Sequence, residues 1–170
     1  ITRDRLMNND INFYNFYDPI ALASVDVKAG LKYEKLLKSL PEDKLYPPIS
    51  FTNVQHDKCT YYSYLKKNNI PIIPTMCITK SEWRAAKSKK NFIKNVIRKT
   101  SVFKQTFVKP VMGTSGSFTT IYPKENESES QTIDRMEKYC KTVFAKNYPK
   151  VVLQEYHPEF ATQSVEVRMM

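Results

Sequence analysis

Only three glycines occur in 170 residues, and two of them, Gly113 and Gly116, fall in one tetrapeptide between runs rich in β-branched and aromatic side chains. Glycine alone takes positive φ without steric cost, so a chain this poor in it has few places for a tight bend or a close backbone approach. The stretch Phe107-Val108-Lys109-Pro110-Val111-Met112-Gly113-Thr114-Ser115-Gly116-Ser117-Phe118 therefore reads as strand, bend and strand. Backbone N–H groups of the bend, with the hydroxyls of Thr114, Ser115 and Ser117, can line a concavity that suits an anion. Lys109 supplies a compact charge with three donors at the end of the first strand. One reading is a phosphate held between a fixed ammonium and a small loop; the other is a β-hairpin with a glycine turn and an incidental lysine. A Walker loop is excluded because no Lys-Ser or Lys-Thr pair follows Gly116, and the double-glycine dinucleotide fingerprint is missing as well.

The elements can be read in order. Residues 1 to 18 show no clear periodicity, and Ile20-Ala21-Leu22-Ala23-Ser24-Val25 reads as a buried strand. After Gly30, Tyr33, Leu36, Leu37 and Leu40 recur at helical spacing until Pro41, and Pro47-Pro48 leads into Ile49-Ser50-Phe51 as a short strand. Asp57 reads as the N-cap of a helix with Tyr61, Tyr64 and Leu65 on one face. An extended, proline-punctuated segment from Ile70 runs into a strand at Met76-Cys77-Ile78. Thr79 and Glu82 form a capping-box pattern for a helix burying Trp83, Ala86, Ile93 and Ile97. Strands follow at about 106–111 and 117–122, then a polar loop, a helix presenting Ile133, Met136, Cys140, Val143 and Phe144, and a strong strand at Val151–Tyr156.

Taken in order, six features resemble the ATP-grasp superfamily, and its carboxylate-amine ligases in particular. They are Asp57-Lys58 at a helix start, the Ile70–Thr75 proline segment, Val108-Lys109-Pro110, the Gly113–Gly116 bend, Val151–Tyr156, and Glu166-Val167-Arg168. The resemblance covers about residues 49 to 170, and ribosomal-protein glutamate ligases and D-alanyl-alanine ligases show the pattern. It implies an α+β fold with an α/β-type N-terminal part. Residues 1–74 would form a partial N-terminal region and connecting helix, and residues 75–170 the lid subdomain, the hinge strand and the start of an incomplete C-terminal subdomain. The lid would hold a small antiparallel sheet flanked by helices.

The resemblance also implies the roles. Lys109 and Lys58 would contact the phosphates of ATP, with Gly113, Thr114, Ser115, Gly116 and Ser117 as a flap closing over them. Gln154, Glu155, Tyr156 and His157 would be the hinge that reads the adenine edge through backbone groups. Glu166 would hold the ribose, and Arg168 would act catalytically on the γ-phosphate or an acyl phosphate. The magnesium ligands would lie beyond Met170. The expected partners are ATP and small-molecule or peptide carboxylate and amine substrates. An ATP-grasp kinase of the inositol-phosphate type and a non-catalytic degenerate ATP-grasp module with a basic surface open to nucleic acid are the alternatives.

The composition bears on the setting. Ile1 is not a start methionine and the last residues read as an unfinished strand, so both ends are expected to be cut. No apolar run reaches the roughly 20 residues of a membrane span. The odd set Cys59, Cys77 and Cys140 argues against a disulfide framework and for a reducing compartment, the cytoplasm. The net charge is +10, and eight of its bases lie between Lys80 and Lys99. A solvated helix face accounts for them more simply than a nucleic acid does. His56 and Cys59 sit three apart, but no companion spacing completes a metal site, and the plainer reading of His56 is a helix-start histidine.

Overall fold

A computed structural model describes residues 2–15, 18–112 and 118–159. Its elements, in chain order, begin with α1 (Arg3–Met7), β1 (Asn12–Phe13), α2 (Asp18–Val25) and α3 (Val27–Lys38). A 3-10 turn, β2 (Leu45–Tyr46), α4 (Ile49–His56) and α5 (Lys58–Lys67) follow. The remainder comprises β3 (Thr75–Thr79), α6 (Lys80–Ala85), α7 (Lys89–Lys99), β4 (Thr106–Pro110), β5 (Thr120–Tyr122), α8 (Glu129–Ala145) and β6 (Lys150–Glu155). The arrangement is α+β. A four-stranded antiparallel sheet has the order β3-β6-β4-β5, and β1 and β2 form a separate parallel pair.

The sheet's period of two sorts its residues onto two faces. Val108 pairs with Leu153 and Pro110 with Val151, which puts them on one face; all but Pro110 are fully buried. Ile93 and Val96 of α7 and Met136, Cys140, Val143 and Phe144 of α8 share their cluster. Burial pushes the Cys140 thiol up to about 12. Phe107 and Lys109 pair with Gln154 and Val152 and so face the other way, as do Thr75 and Cys77 of β3. Helix α5 covers that face, joined to it by a Cys59–Cys77 disulfide with a Cα separation of 6.1 Å.

Each helix start has a local cause. Asp26 accepts from the N–H groups of Lys28 and Ala29, and Asp57 from those of Cys59 and Thr60. Thr79 with Glu82 and Ser128 with Gln131 form complete capping boxes, each hydroxyl and amide or carboxylate satisfying a donor the helix leaves open.

Several expectations need correction. Ile20–Val25 is helix, not strand: Pro19 fits a first helical turn, and Ala21 and Ala23 are good helix formers. Ile49–Phe51 also opens a helix, because Pro48 has the φ of −56° that a helix start accepts, and its carbonyl takes the Phe51 N–H at 3.1 Å. The 79–97 helix is two helices. Ser88 caps the second, while the Lys89 ammonium donates to the Arg84 and Ala86 carbonyls at the end of the first. On α5 the inward residues are Cys59 and Tyr62, and Tyr61 and Tyr64 are exposed. The disulfide overturns the inference from an odd cysteine count, since the third, Cys140, is simply a buried free thiol. Residues 3–7 and 12–13 are ordered elements where the sequence showed no period.

Gly30 lies inside α3, where a Cβ would come within 2.6 Å of the Ala23 Cβ and 2.7 Å of Ala23 N and Pro19 O. Overpacking costs about 1–3 kcal/mol, and alanine's helix propensity returns only about 1 kcal/mol. Gly30→Ala should therefore lower the denaturation midpoint. Adding Ala23→Gly should recover part of the loss; a Gly30→Ala protein at least as stable as the wild type would show that the helices do not need this approach.

Candidate functional site

On the face covered by α5, three elements converge on one ammonium. The Lys109 Nζ donates to Gln154 Oε1 at 3.0 Å and to the Tyr62 hydroxyl at 3.4 Å. It also lies 5.5 Å from the Phe107 ring centroid and 5.8 Å from that of Tyr62, within cation–π range. Tyr62 donates to the same Gln154 oxygen at 3.3 Å, and Gln154 Nε2 donates to Thr75 Oγ1 at 3.2 Å. The hydrogen-bond partners of Lys109 are thus neutral oxygens, and burial lowers its pKa.

Lys58 stands at the start of α5 and donates to the Val111 carbonyl at 3.1 Å, just past the end of β4. Burial, then the charge of Lys109, bring its pKa down to about 8 against an opposing pull from Asp57. Asp57 uses one oxygen for the α5 cap and the other for an ion pair with Lys150 at 2.6 Å. Two lysines called from the sequence are therefore brought close enough to repel each other.

The strand expected to be a hinge lies alongside. Gln154 contributes a side chain to Lys109, beyond the backbone role expected of it. The Glu155 N–H donates to Pro74 O at 2.9 Å and the Tyr156 N–H to Gln105 O at 2.8 Å, so both are committed within the protein. The Tyr156 ring stacks on Phe107 at 6.3 Å, and the His157 ring lies 3.0 Å from Glu159. A cleft of about 480 Å³, lined by Gln105, Phe107, Thr119, Ile121 and Lys124 among others, opens beside Phe107. Phe107 and Ile121 are cross-strand partners, so the cleft adjoins the face that carries Lys109.

Gly113, Thr114, Ser115, Gly116, Ser117, Glu166 and Arg168 lie outside the described residues. Among the described residues no group of three His, Cys, Asp or Glu side chains could hold a metal, so magnesium has no fitted site there. From the sequence Tyr62, with Tyr61 and Tyr64, reads as core and surface of one helix, and Thr75 and Phe107 carry no role of their own. Tyr62 falls four residues after Lys58 on one helix and Phe107 two before Lys109 on one strand, and those periods would have pointed to them.

No protein-family model matches the chain, and no curated protein matches it by sequence. Solved structures do. D-cycloserine synthetase superposes with a TM-score of 0.66 at 14% identity, over 92% of this chain and 47% of that one. D-alanyl-alanine synthetase A from Vibrio cholerae gives 0.45 at 15% identity, over 62% of this chain and 27% of its own. The D-alanine-D-alanine ligase from Coxiella burnetii gives 0.47 at 15%, over 64% and 28%. The chain spans about half the length of the first and under a third of the others. The likeness to D-cycloserine synthetase is one of fold, and it fits the ATP-grasp resemblance carried by the sequence motifs.

The low pKa of Lys58 makes stability depend on pH. Unfolded, the group titrates near 10.5, and folded near 8. Below pH 8 it is charged in both states and burial of that charge costs the folded state throughout. Between pH 8 and 10.5 the folded protein binds fewer protons than the unfolded one, so stability rises with pH. Lys58→Met should raise the urea midpoint near pH 7 and shrink its gain over the wild type by pH 10. A constant difference between the two proteins across that window would show that Lys58 titrates normally.

Proposed function

We propose that this chain is the nucleotide-binding part of an ATP-grasp ligase that activates a carboxylate as an acyl phosphate for attack by an amine. The observation that carries the reading is the half-buried Lys109 ammonium, held on one sheet face by neutral oxygens beside a second lysine. A polyanion placed against the pair would remove their mutual repulsion and supply the charge that Gln154 and Tyr62 cannot. Phosphoryl transfer asks chiefly for positioning and charge neutralisation, which a clamped ammonium provides.

In this reading Lys109 and Lys58 meet the phosphates, and residues 113–117 close over them. The base lies in the cleft beside Phe107, where an aromatic wall suits its flat face. With the N–H groups of Glu155 and Tyr156 already bonded internally, the adenine edge is met by other groups of the 154–157 segment. Glu166 takes the ribose hydroxyls and Arg168 the transferred phosphoryl group. Magnesium, when bound, would neutralise phosphate charge.

Lys109→Ala should weaken ATP binding by about 1.5–3 kcal/mol, the range for a hydrogen bond to a charged group. Calorimetric titration against the wild type measures it, with the exposed Lys35→Ala as a control that should bind unchanged. Equal ATP affinity in Lys109→Ala and wild type would remove Lys109 from the phosphate site. Product analysis then separates the chemistries, since a ligase yields ADP and free phosphate and a kinase a phosphorylated acceptor.

A further inference from the structure

Residues 80–99 contain eight basic residues and one acidic one, a net of +7 in a chain whose total is +10. The structure places this concentration on α6 and α7, and α7 packs with α8 on the sheet face opposite Lys109. None of it can serve the nucleotide site, because the sheet stands between.

Three acids lie near this surface: Glu82, whose charge also acts on Lys99, and Asp134 and Glu137, whose charges act on Lys90. Glu82 is bound into the capping box with Thr79, and Asp134 of α8 pairs with Lys90 at 2.7 Å. Lys89 is used as a cap for α6 and lies over the Trp83 ring. Arg84, Lys87, Lys94, Arg98 and Lys99 are exposed, and none forms an ion pair among the described residues. On α7 the outward side, opposite the buried Ile93 and Val96, reads Asn91, Lys94, Asn95, Arg98. Lys94 and Arg98 thus lie one turn apart, about 6 Å along the axis, and so do Asn91 and Asn95 beside them. On α8, Lys138 and Lys141 are exposed one and two turns beyond Asp134, and Glu137 lies between.

Against the simpler sequence reading of a solvated helix face, we infer that the outer face of α7 and its flanks binds the phosphate backbone of a nucleic acid. Exposed, unpaired cations with amide donors beside them suit a run of phosphates, which Arg, Lys and Asn contact without reading sequence. A membrane surface fits less well, because the apolar side of α7 is spent in the core and no outward apolar stripe remains to enter lipid.

Each neutralised phosphate contributes about −0.7 to the slope of log K against log salt for a single strand, so five cations predict a slope of about −3.5. Fluorescence anisotropy with a labelled single-stranded RNA of about 20 nucleotides, over about 25–200 mM KCl, measures it. The triple variant Lys94→Gln, Arg98→Gln, Lys99→Gln should lower the slope by about two units. Lys32→Gln, Lys35→Gln, Lys66→Gln removes the same charge from exposed positions on α3 and α5 and should leave the slope unchanged; circular dichroism checks that both variants fold. No binding at the lowest salt overturns the inference, as does an equal loss in both triples, which would mean net charge alone. Binding to phosphatidylserine vesicles but not to RNA would give this face to a membrane and overturn it too.

Discussion

One contact organises the inner face of the sheet: the Lys109 ammonium resting on Gln154 and Tyr62. A lysine between Val108 and Pro110, in a strand whose alternate residues are buried, needs a reason to turn its charge inward. Two neutral oxygens satisfy donors but leave the charge uncompensated, and desolvation shows in the lowered pKa. The arrangement holds a cation ready in a half-buried setting, where its field on an incoming anion is screened less than it would be in water. Removing Tyr62 or Gln154 would leave the same charge with fewer donors satisfied, so these two side chains position Lys109 as much as they contact it.

Helix α5 makes this possible by joining both lysines to one rigid body. Its start carries Lys58 against Val111, its second turn carries Tyr62 against Lys109, and Cys59 between them is bonded to β3. Asp57 fixes the same end twice, as the helix cap and as the partner of Lys150 on the central strand β6. The position of Lys58 relative to Lys109 is therefore set by covalent, ionic and hydrogen-bonded links, and their repulsion is held in place.

The sequence made legible what depends on local chemistry and strong periods. The caps at Asp57 and Thr79 are short-range hydrogen bonds, whereas the Ser88 cap is hidden in a stretch that reads as one continuous helix. The buried stripe from Ile133 to Phe144 and the alternation at Thr106–Pro110 were readable because one period ran through each. Ile20–Val25 misled because a short apolar run lacks a period that would tell helix from strand. The Cys59–Cys77 bond depends on α5 crossing β3, a tertiary fact invisible in an 18-residue spacing. Lys58 and Lys109 were found through motif order, whereas Thr75 matters because the register puts it opposite Gln154, and Tyr62 because α5 packs over that face of the sheet.

The two sheet faces use basic residues in opposite ways, and that difference has a physical consequence for anions. On the inner face Lys58 and Lys109 are partly stripped of water, so a bound phosphate gains from a weakly screened field, and salt should affect it comparatively little. On the outer face Lys94, Arg98 and Lys99 remain hydrated, so attraction to a polyanion comes mainly from released counterions and falls steeply with salt. A single sheet about one side chain thick on each side thus separates a site suited to a small, highly charged ligand from a surface suited to an extended one. Because the two sets of basic residues lie on opposite faces of a packed sheet, occupancy of one leaves the charge at the other nearly unchanged.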